Sequence, residues 1–315
     1  MGEGRREIVM SRNLNRLLNP KSIVFVGGNE CEVAIRRTRE LGFAGKIWAV
    51  HPKRETLGGI ACIRSVADID GAPDAAFVAI KREPTIEIVR ELRKKGCGGA
   101  VIYASGFAET GDAHLQEELL KAADGMPLMG PNCYGFVNCL ARVASWPDEH
   151  GMEIIDKGVA IITQSGNIAC NFTFTRRALP LACIFAIGNQ ADIDMAQLLE
   201  ELARDARITA IGLHIEGLTD VAAFARAAEV ARKLGRLRND AEATFEFHLF
   251  NGIQGVVKDP KDGAVVVNYF TEFAITPAAE IDFDLDNAAP ASGALRKRCQ
   301  ALIESVEESM GGLST

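Results

Sequence analysis

Ser22-Ile23-Val24-Phe25-Val26-Gly27-Gly28-Asn29 is the stretch on which the fold turns. Its apolar run has no polar break and ends on two glycines, as expected of a strand buried on both faces that must then turn sharply. A helix is expected across residues 33–41, and Lys46-Ile47-Trp48-Ala49-Val50-His51-Pro52 reads as a second strand. The alternation continues with a strand over 75–80, a helix over 85–95, a strand over 99–104, a helix over 114–123 and a short strand over 126–130. Continuous apolar strands separated by helices predict an α/β unit with a parallel sheet covered on both faces.

Working outward, residues 144–157 are rich in polar and turn residues and read as a connection. The pattern then restarts, with strands over 159–163, 183–187 and 208–215 and helices over 167–177, 195–203 and 221–234. This predicts a second α/β unit with no evident sequence repeat of the first. From Arg236 the style changes: strands are expected over 245–250, 264–270 and 281–286, with a turn at 258–263 and an amphipathic helix over 295–310.

Composition narrows the function classes. The chain has 315 residues, 48% hydrophobic and 24% charged, with a formal net charge of −7. A nucleic-acid partner held by its phosphates needs clustered Lys and Arg, and the short basic runs here fall on expected helix faces, so no such partner is expected. No apolar stretch reaches the roughly 18 residues of a membrane span, and residues 1–16 lack the apolar core of a signal peptide. The expectation is a cytoplasmic protein. The eight cysteines are scattered without a Cys-x-x-Cys pair, and no His stands at metal-ligand spacing from them, so no metal site is expected and reduced core cysteines are.

Chemistry concentrates at strand ends. Gly27, Gly28 and Asn29 allow a tight turn and close backbone approach to a phosphate at a helix N-terminus. Taken alone, the turn fits a plain connection equally well, because the third glycine of the Gly-x-Gly-x-x-Gly fingerprint is missing. Other strand ends carry His51-Pro52-Lys53-Arg54, Ile80-Lys81-Arg82, Ser105-Gly106-Phe107 and Gly130-Pro131-Asn132-Cys133. In an open parallel sheet, ligands bind outside the carboxyl ends of the strands. An NAD-dependent dehydrogenase would place an acid at the end of the second strand, where His51 and Pro52 stand instead.

These landmarks, with Leu17-Leu18-Asn19-Pro20-Lys21-Ser22-Ile23 before them and Gly106-Phe107-Ala108-Glu109 among them, resemble the CoA-binding part of NDP-forming acyl-CoA synthetases, relatives of succinyl-CoA synthetase α. The likeness continues through Thr163-Gln164-Ser165-Gly166-Asn167, Gly188-Asn189-Gln190-Ala191-Asp192 and His214-Ile215-Glu216-Gly217. It implies a Rossmann-like CoA-binding domain over 14–143, a flavodoxin-like, succinyl-CoA synthetase-like domain over 155–235, and an atypical segment over 236–315. It further implies coenzyme A or acyl-CoA held by Gly27, Gly28, Asn29, Lys53, Arg54, Ile80, Lys81, Ser105, Gly106, Phe107 and Asn132. A phosphoryl group would lie at Gln164, Ser165, Gly166 and Asn167, and Glu216 would be the carboxylate that orients a reactive histidine. The Ser-His-Thr-Gly or Gly-His-Ala-Gly loop that bears that histidine does not occur in the sequence, and neither does an ATP-grasp unit. The resemblance therefore implies a ligase part that is inactive alone, with ATP/ADP and Mg coming through an ATP-grasp β-type subunit. The alternative is a stand-alone CoA-binding regulatory protein. The acyl group and the oligomeric state, a homo-oligomer included, stay open.

Overall fold

The computed structural model describes residues 13–174 and 179–236, together with the backbone of two strands at 253–259 and 263–269. The first part opens with a short helix α1 (Asn15–Leu18), followed by β1 (Ser22–Gly27), α2 (Asn29–Glu40) and β2 (Lys46–Val50). A small hairpin, β3 (Thr56–Leu57) and β4 (Ile60–Ile63), precedes β5 (Ala75–Ala79), α3 (Arg82–Lys94), β6 (Ala100–Ile102), α4 (Ala113–Ala123) and β7 (Leu128–Met129). These strands form one sheet in the order β3-β4-β2-β1-β5-β6-β7. All its pairings are parallel except that of β3 with β4.

The apolar run that defines β1 explains the layering. Ile23 and Phe25 face one side, with Phe77, Leu17, Ala34 and Ile35. Val24 and Val26 face the other, with Val78, Ile86, Val89, Leu92 and Leu119. Alternate residues thus feed two cores, and helices cover both faces, as a parallel sheet requires. Strand β1 lies between β2 and β5, so the chain leaves it first to one side and then to the other. That reversal opens a crevice at the carboxyl ends of β1 and β5.

The second sheet contains β8 (Gly135–Asn138), β9 (Val143–Ser145), β10 (Gly158–Thr163), β11 (Leu181–Ala186) and β12 (Ile208–His214), in the order β12-β10-β11-β8-β9. Strands β10, β11 and β12 are mutually parallel, while β8 and β9 run antiparallel at one edge. Helices α5 (Gly166–Thr173), α6 (Met195–Arg204) and α7 (Val221–Lys233) follow the three parallel strands. Residues 135–145 thus join the second sheet, although the sequence reading put them at the end of the first domain and in the connection. Their chemistry explains the move: Phe136 stacks on Phe185 of β11 with ring centroids 5.4 Å apart, and Val137, Ala144 and Trp146 fill a third core against Ile184.

Backbone hydrogen bonds join the two sheets between the end of β7 and the loop after β11. Asn189, Ala191 and Ile193 donate to the carbonyls of Pro131, Gly130 and Leu128 at 3.0 Å each. The two C-terminal strands, β13 (Ile253–Asp259) and β14 (Gly263–Tyr269), form an antiparallel hairpin. The strands expected at 245–250 and 281–286 and the helix at 295–310 lie outside the described residues.

Candidate functional site

Gly27 ends β1 at a φ of +152°, and a Cβ built there would strike the carbonyl of Ala79 on the neighbouring strand. Close strand contact therefore demands glycine here. Gly28 is the N-cap of α2 and makes no side-chain cap, while Glu30 and Glu32 stand in the first turn of the helix. Above it, Arg54 donates to Asn29 and, at 3.0 Å, to Glu32. The loop bearing Arg54 is shaped by His51, whose Nδ1 accepts from the backbone N–H of Lys53 at 3.1 Å and of Arg54 at 2.9 Å. Partial burial, then the charges of Arg54, Arg64 and Lys53, hold the imidazole below its usual pKa, which keeps that acceptor unprotonated.

Next along the sheet edge lies a cleft of about 670 Å³. Ile80, Lys81, Ser105 and Asn132 line it, together with Glu30, Tyr103 and Tyr134. Glu30 comes from the first turn of α2, and the others come from the ends of β5, β6 and β7, which the parallel topology brings side by side. Lys81 and Lys53 carry no ion pair among the described residues. Arg82 is committed elsewhere: it binds Asp112 at 2.6 Å, Glu83 at 3.0 Å and the carbonyl of Gly106.

The Ser105-Gly106-Phe107 turn is held from both sides. Glu109 accepts from the backbone N–H groups of Gly106 and Phe107 and from the amide of Asn189, which in turn accepts from Asn132 at 3.2 Å. Burial pushes the Glu109 carboxyl up, but the hydrogen bonds from Gly106 and Asn189 outweigh it and hold it below the ordinary carboxylate range. Phe107 has no exposed surface, so its ring belongs to the core beneath the turn. Neither Glu109 nor Asn189 was singled out as a site residue from the sequence. Their signal lay in the Gly106–Glu109 and Gly188–Asp192 landmarks, but nothing in the sequence pairs them.

The second strand-end feature follows β10. Ser165 is the N-cap of α5, its Oγ accepting from Ile168 N–H at 3.3 Å. Gln164 reaches across to β12, and its Oε1 accepts from the backbone N–H groups of Glu216 and Gly217. Glu216 sits at the rim, where burial raises its carboxyl pKa. His214 is buried and lies 3.0 Å from the hydroxyl of Thr163, which places it in the strand layer. His248 lies outside the described residues. The two features adjoin through Tyr134: a Cβ built on Gly166 would come within 2.7 Å of its ring. No group of three or more His, Cys, Asp or Glu among the described residues could hold a metal ion. No helix among them is long and apolar enough to cross a membrane.

Comparison with known proteins follows the same division. Residues 17–138 match the family described as CoA binding domain, and residues 156–236 match the succinyl-CoA ligase like flavodoxin domain. A trans-feruloyl-CoA synthase from an unknown prokaryotic organism is 33% identical over 250 residues, covering 75% of this chain and 35% of that protein. The α subunit of acetate–CoA ligase (ADP-forming) II of Pyrococcus furiosus is 31% identical, with 70% of this chain and 49% of the subunit covered. Among solved structures, the dinucleotide-forming acetyl-coenzyme A synthetase 1 of Ca. Korarchaeum cryptofilum, in complex with phosphate and ADP, superposes with a TM-score of 0.65. It shares 27% identity, over 70% of this chain and 49% of that one. The chain thus spans about a third to a half of the length of these relatives.

Residues 210–315 also match the family described as phage major capsid protein E, overlapping the flavodoxin match up to residue 236. Over that overlap the geometry follows the ligase pattern, since β12 pairs with β10 and α7 packs on α6. On the matched domains, their relatives and this shared architecture, residues 17–236 belong to the CoA-binding, α-type part of the NDP-forming acyl-CoA synthetases.

Proposed function

We propose that this chain is the CoA-binding part of a synthetase that interconverts acyl-CoA, phosphate and ADP with acid, CoA and ATP. One observation carries the reading: Ile80, Lys81, Ser105 and Asn132, from three strand ends, converge on one cleft between the glycine turn and the start of α5. CoA fits that arrangement. The glycine turn at the α2 N-terminus, with Arg54 above it, suits the phosphates of the nucleotide end. The cleft suits the pantetheine arm, and its far wall at Tyr134 delivers the thioester next to Gln164, Ser165, Gly166 and Asn167. Lys53, Gly106 and Phe107 act on the loops around the ligand, Phe107 by packing beneath its turn. The start of α5, where backbone N–H groups and the positive helix end stabilise an anion, would receive phosphate. Nucleotide and magnesium would come through an ATP-grasp partner subunit, and the assembly would work in the cytoplasm.

Calorimetry with CoA, dephospho-CoA and NAD tests this. CoA should bind more tightly than dephospho-CoA, and NAD should give no signal; NAD binding without CoA binding would overturn the reading.

The missing histidine loop favours a second reading, a CoA-responsive protein without ligase chemistry. Glu216 has no imidazole partner among the described residues, and His214 is occupied at Thr163. Incubation with acyl-CoA and phosphate should leave no acid-labile phosphohistidine on the chain alone under either reading. Label restored by an added ATP-grasp subunit, on that subunit or on a complex, would separate them. The relatives' names carry different acyl groups, feruloyl and acetate among them, so family likeness leaves the acid undefined.

A further inference from the structure

We infer that the acyl group carried to this site is aromatic, seated on a wall formed by Tyr103 and Tyr134. The inference rests on the CoA reading above and concerns the end of the cleft farthest from the glycine turn.

Five aromatic rings run in sequence from the core of the first sheet to that of the second. Phe25 meets Phe77 at 6.2 Å, Phe77 meets Tyr103 at 6.3 Å, Tyr103 meets Tyr134 at 6.0 Å, and Tyr134 meets Trp146 at 5.2 Å. Phe25, Phe77 and Trp146 are fully buried, whereas the two tyrosines are only partly covered and line the cleft. The buried rings fix the orientation of the middle pair, so the cleft presents a rigid aromatic surface that needs no ordering when a ligand arrives. The Tyr103 and Tyr134 rings meet edge to face at 72°, which leaves ring faces and edges to pack against a further ring.

Position decides what that further ring is. Tyr134 lies against Gly166 at the start of α5, where a Cβ would come within 2.7 Å of the ring. The proposed phosphate position and the aromatic wall are therefore neighbours. The CoA group that reaches this point is the thioester, and the moiety beyond it is the acyl chain. The adenine belongs at the other end, beside Arg54 and the glycine turn. An acetyl group would touch little of this wall. A benzoyl or cinnamoyl group can stack on it.

The hydroxyls add polarity to the surface. Neither tyrosine hydroxyl is hydrogen-bonded to a described residue, and burial first, with the Glu30 carboxylate next for Tyr103, raises both phenol pKa values. Both stay protonated at neutral pH and can donate to an oxygen on the acyl ring.

The test is calorimetry on the full chain with CoA, acetyl-CoA, benzoyl-CoA, cinnamoyl-CoA and, as a non-aromatic control of similar size, cyclohexanecarbonyl-CoA. Benzoyl-CoA and cinnamoyl-CoA should bind more tightly than acetyl-CoA, and roughly threefold to tenfold more tightly than the cyclohexane analogue, the gain one aromatic pair supplies beyond area burial. The aromatic-to-cyclohexane ratio should fall toward one in Tyr134→Leu and in Tyr103→Leu, and survive in Tyr134→Phe. A flat series in the native chain overturns the inference even if both leucine variants misfold. A ratio that persists in correctly folded leucine variants overturns it as well. Absence of any CoA binding would instead sink the function proposed above, which is a separate outcome.

Discussion

The carboxyl ends of the parallel strands are built differently in the two sheets. At the first sheet the loops are cross-tied: Arg82 grips Asp112 and Gly106, Glu109 grips Gly106, Phe107 and Asn189, and His51 orders the Lys53-Arg54 loop. At the second, Gln164 joins α5 to the end of β12, and Ser165 caps its own helix. The Glu216 carboxylate is left at the rim, its pKa raised by burial, with no side-chain partner among the described residues. The first end is held in one arrangement by side chains from three loops, which suits the binding role proposed for it. The second offers a helix start and a carboxylate, with no imidazole beside that carboxylate among the described residues.

The largest effect should come from breaking the first end at its tightest point. Gly27→Val puts a branched side chain against the Ala79 carbonyl at a φ few residues tolerate. The strand contact must open, at a cost of about 3 kcal/mol. Thermal unfolding should show a fall of roughly 6–12 °C for a chain of this size, and CoA binding should be lost. Gly28→Ala is the contrast, because the nearest atom to its new Cβ is on Arg54 at 4.0 Å. A Gly27→Val protein with native Tm would show that the turn is not the constraint we describe.

The cross-tie at Glu109 comes second. Glu109→Ala frees the Gly106 and Phe107 N–H groups and releases Asn189. Because the carboxylate is partly exposed, the expected loss is about 1–2 kcal/mol. The pH dependence has a fixed sign. The folded-state pKa lies below the ordinary value, so the stabilisation is present above the unfolded carboxyl pKa of about 4.3 and is lost as pH falls through the folded value. Native chain and variant should therefore converge in stability at acid pH and diverge on the way to neutrality, in urea unfolding series at fixed pH. A constant gap across pH would mean that the side chain acts by packing alone.

Much of this contrast could be read from the sequence, and the limits have physical causes. The run Ser22–Gly28 announced the buried strand and its turn, because continuous apolar residues ending in glycine admit few other folds. The strand-end residues Ile80, Lys81, Ser105 and Asn132 could be grouped because a parallel sheet places its carboxyl ends on one edge. The hairpin of β3 and β4 was not foreseen, since two-residue and four-residue strands leave no periodicity to detect. The transfer of residues 135–145 into the second sheet depends on which core accepts Phe136 and Trp146, a matter of tertiary packing. The Glu109–Asn189 bond joins residues eighty positions apart, and no local pattern reports it.

The smallest effect should come from the second end, where two roles of Ser165 can be separated. Its hydroxyl satisfies one orphan N–H of α5, so Ser165→Ala should cost about 1 kcal/mol through the lost cap. Ser165→Asp restores a capping oxygen and should recover that stability, but it places a negative charge where phosphate is proposed to sit. Thermal unfolding in rising phosphate, at constant ionic strength, distinguishes capping from anion binding. A ligand that binds only the folded chain stabilises it by RT ln(1 + [L]/Kd), so the native protein should gain stability as phosphate passes its Kd. Ser165→Ala should begin lower and still gain, because the backbone N–H groups at the start of α5 do not depend on the hydroxyl. Ser165→Asp should begin near native and gain little, because its carboxylate already neutralises the helix end. Equal gains in the native chain and Ser165→Asp would move the phosphate away from α5 and leave Ser165 as a helix cap only.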